Sequence, residues 1–297
     1  MNINDTAGIF GQHFPEIFET YLRKGQIYRK QFTDNVTTYF DKKNRHYYIA
    51  GQPGVGKTHT VKDIAKKYPN IYLLEISGSH ITPWALKRSI AAAKRFCDLN
   101  GMNLMVYVDD LNKIFKANSE FLDIFKQMMQ KNDPSLEHNG TVTKTLLNDC
   151  NDIEREAIEH YMGLDTISSG FSVDLTGVKF LFTMNTPLPS IQEVKAQQMN
   201  SDAYIKLNNR HAIRDRVKYE DLVMDKETYW GWIADVVLNE DVCEDATYEQ
   251  RAEMLRYMWE KWDNVPQHSI RYIDEDLWMD MDDYPEEYRL HWDRGLV

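Results

Sequence analysis

Apolar residues recur along this chain at two spacings, and each change of spacing marks an element. Phe10, Phe14, Ile17, Phe18 and Tyr21 fall at helical spacing with Pro15 near the start, and Tyr28, Phe32, Val36, Tyr39 and Phe40 predict a second helix. Residues 46–50 read as a short buried strand. A helix over 58–67 follows, with Val61, Ile64 and Ala65 on one side, and then a strand over 71–76. Thr82 or Ser79 is placed to cap a helix over 83–100. The apolar run 104–108 reads as a buried strand, and 118–131 as an amphipathic helix. Residues 142–162 predict one helix, followed by a turn or hairpin around 163–172. Residues 178–184 and 217–223 are the last two strands. From Asp225 the pattern is helical throughout, over 226–239, 247–263 and 269–281, with a short tail after Pro285.

Length and composition narrow the class. The 297 residues, 42% of them hydrophobic, suffice for a sizeable core in one large domain or two smaller ones. No apolar run approaches the length of a membrane span, and the first residues lack a secretion signal's basic-then-apolar pattern. Cys97, Cys150 and Cys243 are odd in number and far apart, which suits a reducing cytoplasm rather than a disulfide framework or a zinc site. The net charge of −11 is uneven: residues 221–297 carry −14 and the rest +3. An acidic end repels phosphate backbones, so direct nucleic-acid binding is not indicated and any such contact belongs to the front part. As a plain solvated face, the same acidic stretch favours solubility. Six of the seven tryptophans lie in this part, as core aromatics of a helical domain would.

The chemistry concentrates in one stretch. Gly51-Gln52-Pro53-Gly54-Val55-Gly56-Lys57-Thr58 fits G-x-x-x-x-G-K-[ST] between a predicted strand and a predicted helix. Glycines let backbone N–H groups turn in around phosphate oxygens, and the helix N-terminus adds partial positive charge. Lys57 suits the β- and γ-phosphates, the Thr58 hydroxyl suits Mg²⁺, and His59 opens the helix beside them. The run 104–108 then delivers Asp109 and Asp110 to the end of a strand, where open α/β sheets bind ligands. Asp109 is the candidate for holding Mg²⁺ through water, and Asp110 the candidate base for the attacking water.

This ordered set resembles the AAA+ ATPases. Residues 51–58 look like Walker A and 104–110 like Walker B. Asn185, after Phe182-Thr183-Met184, is similar to sensor 1. Ala212-Ile213-Arg214-Asp215-Arg216-Val217 looks like the arginine-finger segment, and Ser269-Ile270-Arg271 is similar to sensor 2. The resemblance covers residues 40–285. It implies a three-layer α/β/α P-loop fold, with a parallel sheet of order 5-1-4-3-2 and a C-terminal α-helical lid. The divisions are then an N-terminal helical segment over 1–44, a base over 45–223 and the lid over 224–297. It implies ATP with Mg²⁺, contacted by Gly51, Pro53, Gly54, Val55, Gly56, Lys57, Thr58 and His59. Asn185 orients the water, Arg271 reads the γ-phosphate from the lid, and Arg216, or next Arg214, acts as a finger supplied by a neighbouring subunit of a homo-oligomeric ring such as a hexamer. Adenine over guanine rests on this resemblance, since no N-K-x-D guanine-reading motif is present.

One departure from the family pattern bears on rate. The usual Asp-Glu is Asp109-Asp110 here, and the shorter second acid is set back from the water, so slow hydrolysis is expected. Residues 78–84 stand where ring-forming members carry a pore loop, with Trp84 or Ile81 as the gripping side chain or, equally, Trp84 as a buried residue at a helix start. Residues 170–177 are similar to a hairpin that unfoldase-type modules place near the pore. The expected function is ATP-driven remodelling, loading or translocation of a protein or nucleoprotein partner in the cytoplasm, a host's cytoplasm for a viral protein. The alternative is an ATP-gated assembly scaffold. A small-molecule kinase on a P-loop fold would need an arginine-rich lid, and this one is acidic.

Overall fold

The computed structural model describes residues 16–42, 46–77, 81–110, 119–162, 170–239 and 242–295. Phe10, Phe14, Pro15, Ser79, residues 43–45 and the turn expected from Gly163 lie outside them. The chain forms two compact units, each treated by itself.

One unit comprises Thr38–Gly51 and Val61–Leu222. Its centre is a five-stranded parallel sheet flanked by helices. The strands are β1 (His46–Gly51), β2 (Ile71–Ser77), β3 (Asn103–Asp109), β6 (Lys179–Met184) and β7 (Val217–Leu222). Spatially they run β2-β3-β6-β1-β7. Counting only these five in chain order and starting from β7, that is the expected 5-1-4-3-2. The central strands are apolar on both faces, as parallel strands covered on both sides must be: Leu104–Val108 and Phe180–Met184 are buried throughout. Against them pack Leu86 and Ile90 of a helix over Pro83–Asn100, and Phe125 and Met128 of a helix over Glu120–Met128. Thr82 caps the first of these, its hydroxyl accepting from the Ala85 N–H at 3.1 Å. Trp84 and Ile81 pack on the same core. The Trp84 ring lies 5.1 Å from His138 and 6.3 Å from Phe171, the arrangement of a packed residue at a helix start.

The stretch after Asp133 departs from expectation. Residues 142–162 form two helices, Lys144–Asn148 and Asp152–Met162, because Asn151 interrupts the run. Its side chain accepts from the Glu154 N–H at 2.9 Å while its own N–H donates back to Glu154 at 3.1 Å, which starts the second helix afresh. Residues 170–177 are not a hairpin in themselves. Phe171–Asp174 (β5) pairs antiparallel with Ser135–His138 (β4), a strand too short and too polar to be read from its letters. A Cβ at Gly170 would stand 1.6 Å from the His138 carbonyl oxygen, so that crossing admits glycine alone.

The second unit comprises the described residues up to Thr37, the segment Gln52–Thr60, and the chain from Val223 onward. The two predicted N-terminal helices are one, Glu16–Asp41 (α1), running without a break through Gly25. Within this unit α1 packs on the helix Lys226–Asn239 (α9). Gly25 and Gly231 let the two backbones touch: a Cβ on Gly25 would lie 2.0 Å from the Gly231 carbonyl carbon. Arg29 pairs with Asp235 at 2.7 Å, and Phe18 sets its ring edge on Trp230. Trp230, Trp232 and Trp292 are fully buried. The indole N–H groups of Trp230 and Trp292 donate to Leu255 O at 3.0 Å and Leu277 O at 3.1 Å. The predicted helix over 269–281 contains a π-helical stretch, Tyr272–Trp278, and the tail after Pro285 forms a helix over Tyr288–Arg294.

Candidate nucleotide site

Three adjacent strands of the sheet end at one edge. Register fixes this: Asp109 of β3 lies beside Thr183 of β6, and Met184 of β6 lies beside Ala50 of β1. Gly51, the Asp109–Asp110 pair and Asn185 therefore emerge at neighbouring strand ends. Sequence order alone does not reveal that adjacency, since β1 and β6 are more than a hundred residues apart.

Asp109 is held by a relay. The Thr183 hydroxyl donates to the Asp109 carboxylate at 2.7 Å. Thr183 has one proton, so the contact at 2.6 Å to Tyr107 must be a donation from the Tyr107 hydroxyl. Thr183 is 1% exposed, a buried polar residue in an apolar strand. That break in an apolar run was its only signal in the sequence. Asp110 is exposed and has a φ of 47°, in the left-handed region that Asp tolerates better than most side chains. Its N–H donates to Thr183 O at 3.0 Å, so one residue fixes both acids. Asn185 is exposed, and the Tyr48 hydroxyl donates to the next carbonyl, Thr186 O, at 2.7 Å. Burial pushes the Tyr48 pKa far up, which keeps that proton in place.

Arg216 starts back from this edge. Arg216 directly precedes β7, whose first residue, Val217, pairs with His46 at the start of β1. Its backbone is thus about 20 Å back from Gly51 along the ladder, six steps of about 3.3 Å. Arg216 donates to Ala212 O at 2.5 Å. Arg214 donates to Leu188 O, and its guanidinium lies 4.2 Å over the Tyr219 ring.

The loop itself belongs to the second unit. Gly54 and Gly56 have φ of 78° and 77°, a conformation that L side chains avoid. Val55 is buried, while Pro53 and His59 are exposed. Lys57 opens the helix Lys57–Ala65 (α2), whose first turn holds no acidic residue, and its ammonium donates to Gln52 O at 2.7 Å. Lys57 is 6% exposed, so a cation is held inside the turn. The segment 268–271 lies against the loop: Ile270 N–H donates to Gly54 O at 3.1 Å, and a Cβ on Gly54 would stand 2.1 Å from Ser269 Cβ. Arg271 is exposed and lies 3.6 Å from Glu275, one turn on.

These features fit a nucleoside triphosphate and its metal. Left-handed glycines, a helix N-terminus free of acids and a buried ammonium make an anion cradle. In its own unit each, the Thr58 hydroxyl and the Asp109 carboxylate are oxygen donors of the kind Mg²⁺ takes. No cluster of three or more His, Cys, Asp or Glu able to hold a metal occurs among the described residues, and Mg²⁺ on phosphates needs only one or two carboxylates.

One comparison bears on the class. Residues 47–162 match the model of the family described as "ATPase family associated with various cellular activities (AAA)", so this chain carries an AAA+ ATPase module. No curated protein matches. Among solved structures, the chain is similar to a closed-state reconstruction of Hsp104 with ATPγS and FITC-casein, at 12% identity and a TM-score of 0.41. That alignment covers 85% of this chain and 42% of the other, so this chain spans less than half the length of that relative. No described helix is long and apolar enough to cross a membrane.

Proposed function

We propose that the chain is an oligomeric AAA+ ATPase that binds and hydrolyses ATP with Mg²⁺ to remodel, load or translocate a protein or nucleoprotein partner in the cytoplasm. Residues 45–223 serve as the base and 224–297 as the lid, with the helical segment 1–44 before them. The observation that carries the reading is the sheet edge, where Gly51, Asp109, Asp110 and Asn185 end three neighbouring strands.

Gly51, Pro53, Gly54, Val55, Gly56, Lys57, Thr58 and His59 hold the nucleotide, and Thr58 and Asp109 the metal. Mg²⁺ supplies neutralisation of the charge that develops on the phosphate oxygens. Asp110 accepts a proton from the attacking water, Asn185 orients that water, and Arg271 contacts the γ-phosphate. Arg216, with Arg214 second, completes the site of a neighbouring copy in a homo-oligomeric ring. The distance of Arg216 from Gly51 along the ladder supports supply from a neighbour, and the engagement of Arg214 with Leu188 and Tyr219 supports ranking Arg216 first.

The test is MgATP hydrolysis against protein concentration, with Arg216→Ala beside the wild type. Specific activity should rise with concentration. Arg216→Ala should lose about 10³-fold or more in turnover while still binding ATP. Turnover independent of concentration and untouched by Arg216→Ala would sink the shared site. The short acid at Asp110 favours a second reading, an ATP-gated scaffold with slow or no hydrolysis; ATP-driven assembly without turnover would select it.

A further inference from the structure

The phosphate loop is gripped from outside through its carbonyl groups. The Tyr229 hydroxyl lies 3.0 Å from Pro53 O and also contacts His268 O. The next carbonyl, Gly54 O, accepts from the Ile270 N–H at 3.1 Å. Two successive peptide groups of the loop are thus tied to the C-terminal helical part, all within one compact unit.

The consequence follows from peptide planarity. A peptide C=O and the N–H of the following residue lie in one rigid plane and, in the trans form, point opposite ways. No described peptide here is cis. Holding Pro53 O therefore orients the Gly54 N–H, and holding Gly54 O orients the Val55 N–H. These are N–H groups of the kind a phosphate loop presents to an anion. With Gly54 at a φ of 78°, no side chain stiffens this turn, so its planes depend on outside partners.

Tyr229 is built for this task. It is 3% exposed, and burial pushes its pKa far up, so the hydroxyl keeps its proton. Its backbone is set in the first turn of α9, where Asp225 O accepts from its N–H at 2.9 Å and the Asp225 carboxylate caps Thr228 N–H at 2.7 Å. Its ring meets Trp262 edge-on at 5.9 Å, and Trp262 stacks on His268 at 3.9 Å. One proton serves two carbonyls, one on the loop and one just before the Ser269-Ile270-Arg271 segment.

We propose that Tyr229 is a positioning residue of the phosphate loop, which orients the Gly54 N–H through the Pro53 carbonyl and thereby makes nucleotide affinity depend on the segment at 268–270. This rests on the nucleotide-site reading above.

The experiment compares the 297-residue wild-type chain with Tyr229→Phe and Lys57→Ala. Phenylalanine keeps the ring packing and removes only the hydroxyl. Two quantities are read: MgATP affinity by calorimetry, and amide hydrogen exchange of residues 52–58 without nucleotide. Tyr229→Phe should weaken MgATP binding about 3- to 10-fold, the loss of one hydrogen bond, and should raise loop exchange by a similar factor. Unchanged affinity overturns the proposal, as does weaker affinity with unchanged loop exchange. If the wild type itself gives no binding and matches Lys57→Ala, the nucleotide-site reading fails first. Wild-type binding with an unmoved Tyr229→Phe sinks the positioning role alone.

Discussion

The two units place their functional groups by opposite means. In the sheet unit, strand ladders bring chain-distant residues to one edge, and side-chain hydroxyls then trim their aim: Tyr107 to Thr183 to Asp109, and Tyr48 to Thr186. In the other unit the backbone itself is packed. Gly25 on Gly231 and Gly54 on Ser269 are approaches that no Cβ survives, and loop carbonyls are taken by Tyr229 and Ile270. Ladders fix position to within a pleat, so hydroxyls suffice for the remainder. A glycine-rich turn has no ladder, so it must be gripped.

The largest test of this contrast is Gly25→Ala. Alanine improves helix propensity by about 1 kcal/mol, yet its methyl would overlap the Gly231 backbone. A net loss of about 3 kcal/mol or more in chemical denaturation is expected. A neutral result would mean the helices part freely there, and close backbone packing would not distinguish this unit.

The sheet unit offers a titration of similar size. His46 Nδ1 accepts from the Phe180 N–H at 3.3 Å, and burial lowers the His46 pKa to about 4. The folded state thus resists a proton that the unfolded chain binds from about pH 6.5 downward. Stability is fully present above that pH and falls as pH drops towards 4, by up to about 3 kcal/mol. His46→Gln should flatten this part of the stability curve; an equally steep curve in the variant would locate the titration elsewhere.

Thr183→Val sharpens the relay. The isosteric methyl leaves the ladder whole but strips a donor from Asp109 and an acceptor from Tyr107. It should cost about 2 kcal/mol in stability and raise the Mg²⁺ concentration needed for half-maximal ATP binding. If neither moves, the ladder alone places Asp109. The smallest effect is expected from Asp110→Glu. At a φ of 47° the longer acid should lose about 1 kcal/mol in stability, while turnover rises if the set-back carboxylate limits hydrolysis.

Much of this was legible in the sequence, for identifiable reasons. The loop 51–58 was readable because its chemistry depends on residue type at fixed local spacing, and Asp109–Asp110 because an apolar run announces a buried strand. The N-terminal helix reads as two because its apolar spacing lapses between Tyr21 and Tyr28, where Gly25 makes a backbone contact with Gly231 instead. The strand Ser135–His138 was invisible because its partner lies more than thirty residues on and pairs backbone to backbone. Thr183, Tyr107, Tyr48 and Tyr229 went unassigned because their roles are set by what faces them, not by what precedes them.

By itself, the sequence determined the class of the module, the letters of its loop and the strand that ends in two acids, since each is a local pattern of polarity and backbone freedom. The resemblance implied the strand order that puts Gly51, Asp109, Asp110 and Asn185 at one edge; only the tertiary structure decided the register that aligns their strand ends, that Arg216 starts a strand length away, and that Tyr229 contacts the loop. Those are statements about neighbours across long chain separations, and they follow from register and packing, which no local pattern encodes.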